Sequence, residues 1–377
     1  MATFILDARS VQDHFPGIGR YTFRLACALA DFFPDYRFRL LYDARVRNTR
    51  FDVASLFARA NVERVDARAK FFSVAEQRLA LDARISTDAN AYHSPYYALP
   101  FLLRVPAIVT LADVTPLVLH SEMPNPFKRL VYLVFNQIAA RRAQAVITFS
   151  NASRADLERV LQIQRAKISV VPLAADETFA PAPPTEIERV RNALGLPEKY
   201  VLYIGSNKPH KNLPRLIEAW ARVESDTALV IAGAWDARYP QAERIAARLN
   251  LGERVLFRRA IAEADLPAVI SGAQWFVFPS VHEGFGLPPL EAMACGAPVI
   301  CSNASSLPEV VGDAALLFDP IRIQDIARVL SDALNDARVR EHLRARGLER
   351  ARQFSWQRVA RETMRVYEQV ARIRKHA

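Results

Sequence analysis

The chain has 377 residues, 51% hydrophobic and 24% charged, a composition that excludes a disordered or fibrous protein and fits two globular domains of ordinary size. Fifty Lys and Arg against 40 Asp and Glu give a formal net charge of +10. That charge suits an acidic partner, whether nucleic acid, an anionic membrane surface or a phosphorylated ligand, although a generally basic surface without a dedicated partner accounts for it equally, since no compact basic tail is present.

From the N-terminus, short apolar runs alternate with helical patterns. Strands are expected at Thr3–Asp7, Arg37–Tyr42, Ala91–His93, Ala107–Leu111, Ala145–Phe149 and Ile168–Pro172, with amphipathic helices such as Tyr21–Phe33, Lys128–Arg142 and Ala152–Leu161 between them. Apolar strands that alternate with helices indicate a parallel sheet covered on both faces. After the first strand, FPGIGRYTFRLACALA (Phe15–Ala30) places Gly17 and Gly19 ahead of Arg20 in a flexible loop that leads into a helix. The spacing falls short of a dinucleotide fingerprint, so it gives little support for NAD.

Near Phe179–Thr185 the run FAPAPPT, with three prolines in four residues, is the best linker in the chain. The alternation then restarts, with strands expected at Val201–Gly205, Ala228–Ala232, Val255–Arg258, Trp275–Pro279, Pro298–Cys301 and Ala315–Phe318. The expected architecture is α/β, two doubly wound Rossmann-like domains over residues 1–178 and 186–355, joined near residue 180. Paired units of this kind hold small ligands in the cleft between them. The tail is helical, with Trp356, Val359, Ala360, Met364, Tyr367 and Val370 on one apolar stripe.

The three cysteines, Cys27, Cys295 and Cys301, show no paired spacing, so neither a disulfide framework nor a zinc site is expected. The start MATFILDARS has no signal-peptide pattern. No run of 18 uncharged apolar residues is present: Phe101–Leu119 is broken by Arg104, Asp113 and two prolines. A cytoplasmic protein is expected. Lys128, Arg129, Arg141 and Arg142 flank an apolar helix, so peripheral contact with the inner face of the membrane is a further expectation, beside the plain reading of a helix with solvated ends. No nucleic-acid motif is recognisable, and aromatic residues do not interleave with a basic strand, so nucleic acid is not an expected partner.

The chemistry concentrates in two segments. In PSVHEGFGLPPLEAMACGAPVICS (Pro279–Ser302), a buried strand ends in a loop whose Gly284 and Gly286 let the backbone approach a ligand. Pro288 and Pro289 open a helix, and Gly296 closes it. The N–H groups and dipole at that helix start suit an anion such as a diphosphate. Glu283 before the glycines and Glu291 in the first helical turn offer carboxylates to sugar or ribose hydroxyls. Singly, they read as a solvated loop charge and as dipole compensation. In YVLYIGSNKPHKNLPRLIEAW (Tyr200–Trp220), a strand ends at Gly205, and Lys208, His210 and Lys211 fill the loop. Asn212 is placed to cap the next helix. A lysine at a helix mouth neutralises a phosphate, including one that departs during reaction; a solvated loop lysine is the competing account.

These segments are specific. HEGFGLPPLE (His282–Glu291) resembles the E-x7-E signature of the retaining GT-B glycosyltransferases of family 4. GSNKPHKNLPRLIEAW (Gly205–Trp220) and SSLPEVVGDAALLFDP (Ser305–Pro320) are similar to further elements of that family, as are GIGRY, FSNASRADL and SVVPLAAD in the first half. The resemblance covers nearly the whole chain. It implies an N-terminal acceptor domain, a C-terminal donor domain, a donor cleft between them, and a last helix (about 356–377) that crosses back to the first domain. It implies that Lys211 binds donor phosphates, Glu291 the ribose hydroxyls and Glu283 the transferred sugar, with Gly205, Gly284 and the Phe285–Gly286–Leu287 backbone around them. Gly17 and Gly19 would lie by the diphosphate or acceptor, and Arg20 and His93 on the acceptor side.

The same resemblance implies a nucleoside diphosphate sugar as donor, a saccharide or lipid-linked saccharide as acceptor, and no bound metal or other cofactor. GIGRY-type starts resemble bacterial mannosyltransferases of polysaccharide assembly, which makes GDP-mannose the first donor expected and UDP-glucose the next. Two positions depart from the family. Ala112-Asp113 stands where members often have His-Asp, which leaves Asp113 as a catalytic candidate beside Lys211 and Glu283, or implies an impaired nucleotide-sugar-binding partner subunit. His210 stands where many have arginine, so Lys208 or Arg20 would supply the second positive charge.

Overall fold

The computed structural model describes residues 2–86, 89–100, 102–259 and 261–376. The chain divides into two compact units: Met1–Val118 with Asn125–Pro172 and Ser355–Ala377, and Leu119–Pro124 with Leu173–Phe354.

Among the described residues the first unit carries a seven-stranded parallel sheet. Its strands are β1 (Thr3–Asp7), β2 (Arg37–Tyr42), β3 (Val62–Asp66), β4 (Ala91–Ser94), β5 (Ala107–Thr110), β6 (Ala145–Thr148) and β7 (Ile168–Val170), in the order β3-β2-β1-β4-β5-β6-β7. The central strands are buried along their whole length, as helices on both faces require. The edge strand β3 was not expected. Three of the five residues of its sequence VERVD are charged and only Val65 is buried, which blunts a sheet edge against pairing with other chains.

The helix after β1 runs Pro16–Phe32, with proline in its first turn. Gly17 and Gly19 therefore belong to the helix rather than to a flexible loop before it. A Cβ on Gly19 would stand 2.7 Å from the Ser10 carbonyl oxygen, whereas one on Gly17 would meet nothing within 4 Å. The Trp356–His376 helix belongs to this unit and packs on the Pro16–Phe32 helix; Ala377 lies outside the described residues. Val359, Ala360, Met364, Tyr367 and Val370 are buried, and Tyr36 donates a hydrogen bond to Glu368 at 2.6 Å.

The second unit repeats the winding. Strands β8 (Tyr200–Ile204), β9 (Ala228–Ala232), β10 (Val255–Arg258), β11 (Trp275–Phe278), β12 (Val299–Ser302) and β13 (Ala315–Phe318) form a parallel sheet in the order β10-β9-β8-β11-β12-β13. Its core includes fully buried Trp220 and Trp275. In both sheets the strand order reverses beside the first strand, between β1 and β4 and between β8 and β11, and loops at the carboxyl ends of such strands bind ligands in this architecture.

The proline run is not the junction between units. The change falls at Pro172–Leu173. Phe179 is buried in the second core, the Ala182 N–H donates to Ser271 Oγ at 3.0 Å, and Pro183 and Pro184 open a helix, Pro184–Leu194. Prolines fit there because the first helical N–H groups need no intrahelical partner.

The two glycines of the first helix predict opposite effects. Gly17→Ala, with open space and a gain in helix propensity, should raise stability by up to about 1 kcal/mol. Gly19→Ala, which forces methyl against backbone, should lower it by roughly 1–3 kcal/mol. Urea unfolding of the two variants checks the pair, and equal shifts would contradict it.

Candidate active site

The site in the second unit is assembled from the two loops at its switch point. After β8 the chain passes Gly205, where a Cβ would collide with the Tyr203 hydroxyl. That hydroxyl donates to the Ser206 carbonyl at 2.7 Å. A single turn, Pro209–Lys211, follows, and then Asn212 in a left-handed conformation at φ 60°. The expected helix cap at Asn212 is absent. Its amide instead donates to the carbonyls of Pro279 (3.1 Å) and Pro320 (2.8 Å), and its Oδ1 accepts from Arg215 at 2.9 Å. Asn212 thereby ties the loop after β8 to the loops after β11 and β13.

The loop after β11 is held by serines. Ser306 Oγ donates to the Glu283 and Phe285 carbonyls at 2.9 and 2.6 Å, and Ser305 Oγ accepts from the Glu283 N–H at 2.9 Å. The turn ends at Gly286, φ +115°, where a Cβ would lie 2.7 Å from the tip of the Leu307 side chain; the backbone angle favours glycine. The helix that follows, Leu287–Ala294, is a poorer anion cap than its position suggested. Pro288 and Pro289 have no N–H, and the Leu290 N–H bonds to the Gly286 carbonyl at 3.3 Å. In that turn Leu287 alone offers a main-chain donor to a ligand, so the anion-binding capacity rests on the Gly284–Leu287 backbone and on side-chain cations. Glu291 is the fifth residue of this helix, not in its first turn. It is half-buried, and the second turn is too far from the helix end for dipole compensation to explain it.

Lys211 and Glu283 meet across these loops. Lys211 Nζ stands 2.6 Å from Glu283 Oε1, with side chains 14% and 13% exposed, and it lies over the Phe278 ring, 5.1 Å from the centroid. Burial raises the Glu283 pKa, but the charges of Lys211 and His210 and the hydrogen bond from Lys211 outweigh it, and the net shift is downward. Glu283 is thus an anion at neutral pH. His210 is largely buried. Its ring lies 2.7 Å from Glu122 Oε1, and its side chain is 13% exposed.

In the first unit the candidates lie at the carboxyl edge of the sheet or inside it. Gly17, Gly19 and half-buried Arg20 belong to the first turns of the Pro16–Phe32 helix. Asp113, after β5, accepts the Thr115 N–H at 2.8 Å and so opens a short helix at Thr115–Val118. His93 is corrected: it is 1% exposed inside β4, with Nδ1 2.8 Å from the Tyr367 hydroxyl and Nε2 2.7 Å from Thr110 Oγ1. Burial drives its pKa down to about 3. A neutral, fully engaged core histidine has no atom to offer an acceptor.

A cluster unseen in the sequence supports this edge. Buried Arg9 pairs with Asp7 at 2.5 Å and Glu76 at 2.7 Å, donates to the Ala69 carbonyl at 2.9 Å, and lies over the Phe71 ring. Tyr92 donates to the same Asp7 at 2.7 Å. Asp7-Ala8-Arg9 at a strand end was the available signal, but Ala69 and Glu76 are 60 and 67 residues away. Among the described residues no group of three or more His, Cys, Asp or Glu is placed to hold a metal ion, and no helix is long and apolar enough to cross a membrane.

Two Rossmann-like units with this winding form the GT-B fold of glycosyltransferases. Residues 184–350 match the glycosyl transferases group 1 family and residues 16–174 the glycosyl transferase 4-like domain. The O-antigen chain mannosyltransferase B of Escherichia coli is 34% identical over 73% of this chain and 73% of its own. The serotype-specific mannosyltransferase WbdA of the same organism is 34% identical over 65% of this chain, but only 31% of its own length. The fold is similar to that of the sucrose-phosphate synthase of Thermosynechococcus elongatus (TM-score 0.77, 21% identity, 98% of this chain and 99% of that one). It is also similar to Anabaena Alr3699/HepE in complex with UDP and glucose (TM-score 0.75, 20% identity, 98% and 100%). The chain belongs to the group 1 glycosyltransferases.

The depressed Glu283 carboxyl fixes the sign of an acid effect. Its ionised form adds stability above the ordinary glutamate value of 4.5, and that contribution is lost as pH falls through the lower folded value. Glu283→Gln should therefore lose less stability than wild type on acidification below about 4.5. Chemical unfolding at stepped pH measures this, and parallel acid limbs would rule it out.

Proposed function

We propose that this glycosyltransferase moves a hexose from a nucleoside diphosphate sugar to a hydroxyl of a saccharide or lipid-linked saccharide in glycan assembly, with retention of anomeric configuration. The observation that carries the reading is the Lys211–Glu283 pair at the switch point between β8 and β11. Lys211 is the cation for the donor phosphates, and Glu283 is a fixed anionic acceptor for sugar hydroxyls. Glu291 serves the ribose hydroxyls. Charge builds on the departing diphosphate as the glycosidic bond breaks, so Lys211 and the Gly284–Leu287 backbone stabilise the transition state more than the ground state. No bound metal is required in this scheme. Mannose from GDP-mannose is the first choice, supported by the mannosyltransferase relatives, and UDP-glucose the second.

Ala112 favours one other reading, an impaired nucleotide-sugar-binding partner subunit. Turnover with any donor and acceptor pair excludes it.

Peripheral membrane contact at the cytoplasmic face is also proposed. The Pro126–Arg142 helix contains no acidic residue. It exposes Phe127 (72%) and Leu130 (55%), with Val131 and Val134 beside them. An apolar stripe flanked by Lys128, Arg129, Arg141 and Arg142 suits an anionic lipid surface. Val131→Glu should reduce sedimentation with phosphatidylglycerol-containing vesicles; wild type that stays in the supernatant would end this proposal.

GDP or UDP at millimolar concentration should raise the thermal midpoint by mass action, and one of the two should dominate. Lys211→Ala should lower kcat by about 100- to 1000-fold. A wild type insensitive to GDP, UDP and their sugar conjugates, or a fully active Lys211→Ala, would refute the donor site.

A further inference from the structure

One carboxylate beside the phosphate-binding lysine has no part in the scheme so far. Glu122 sits in a single turn, His120–Glu122, within the short segment Leu119–Pro124 that belongs to the second unit. That turn packs on the Pro209–Lys211 turn. Glu122 Oε1 accepts the His210 main-chain N–H at 2.8 Å. The same oxygen lies 2.7 Å from His210 Nδ1, a close contact outside hydrogen-bond geometry. On its other side, the His210 carbonyl accepts the Val281 N–H at 2.8 Å. The backbone at His210 is therefore fixed at both ends, by Glu122 and by the loop that carries Glu283. Lys211 is the next residue.

The energetics argue against an incidental contact. The Glu122 side chain is 7% exposed. Burial raises its pKa, but the His210 ring and main-chain N–H against it, with Lys208 beyond, draw it below the usual carboxylate value. A buried ionised carboxylate is costly unless its partners hold it in good geometry, and here both close contacts go to one residue. We infer that Glu122 is a positioning residue for the donor diphosphate. It fixes the His210–Lys211 turn and holds the imidazole beside Lys211, so that His210 serves as the second phosphate-binding group where relatives carry arginine. This rests on the reading of Lys211 as the donor-phosphate lysine.

The sign of the effect separates positioning from a plain field effect. A carboxylate that acted only through its charge would repel a diphosphate, and its removal would tighten binding. A positioning carboxylate does the opposite. The test is calorimetric titration of GDP and UDP, with GMP and UMP as probes that lack the β-phosphate. The proteins are wild type, Glu122→Gln, Glu122→Ala, His210→Asn and the Glu122→Gln/His210→Asn double variant. Glutamine keeps the shape and an acceptor for the His210 N–H, which guards against misfolding in the alanine variant, and thermal midpoints are recorded alongside. The nucleoside diphosphate that wild type binds should bind about tenfold more weakly to the Glu122 variants. The matching monophosphate should change less than about twofold by the same conversion. The double variant should bind no more weakly than His210→Asn. Unchanged or tighter diphosphate binding, equal weakening of the monophosphate, or additive losses in the double variant would overturn the inference. If wild type binds neither nucleoside diphosphate, the donor reading itself falls and takes this one with it.

Discussion

Lys211 and Glu283 face each other at 2.6 Å in a mostly buried position, and the local structure of the second unit depends on keeping them there. A buried ion pair repays its desolvation only when the geometry is held and the remaining polar atoms are satisfied. The surrounding residues meet that condition. Asn212, in a left-handed conformation, bonds two carbonyls from other loops. Ser305 and Ser306 lace the backbone on either side of Gly284, and Gly286 adopts a backbone angle that L side chains rarely take. These contacts fix the positions of both charges, and charges held in place need little rearrangement as charge develops beside them.

The sheet supplies the frame. Parallel strands place all their carboxyl ends on one edge, and the reversal of strand order between β8 and β11 separates the two following loops enough to admit a ligand. The same winding in the first unit sets the first turns of the Pro16–Phe32 helix at the corresponding edge, with the Asp7–Arg9–Glu76 cluster beneath them. In that unit the glycines divide their labour. Gly19 lets the helix approach the Ser10 backbone, whereas Gly17 leaves open space.

Several candidate residues changed meaning once they were placed. His93 became a core residue because β4 is central and its ring nitrogens already have partners. Asn212 exchanged a capping role for cross-loop bonds. Pro288 and Pro289, which marked the helix start, also remove main-chain donors from it. His210, which looked like a weakened substitute for arginine, lies instead against a buried carboxylate.

By itself the sequence determined the two parallel α/β units and the segments that bear Lys211, Glu283 and Glu291. Those features are local: strands buried on both faces must be continuous apolar runs, and a strand–loop–helix with glycines and prolines is legible within about twenty residues. Only the tertiary structure decided the partners of these residues. Glu122 and His210 are 88 residues apart, Arg9 and Glu76 67 apart, and Ser306 and Glu283 23 apart. No local pattern encodes such pairings. The unit boundary and the charged edge strand β3 escaped for the same reason, since a proline run reads as a linker, and VERVD shows no strand pattern, until the surfaces they pack against are known.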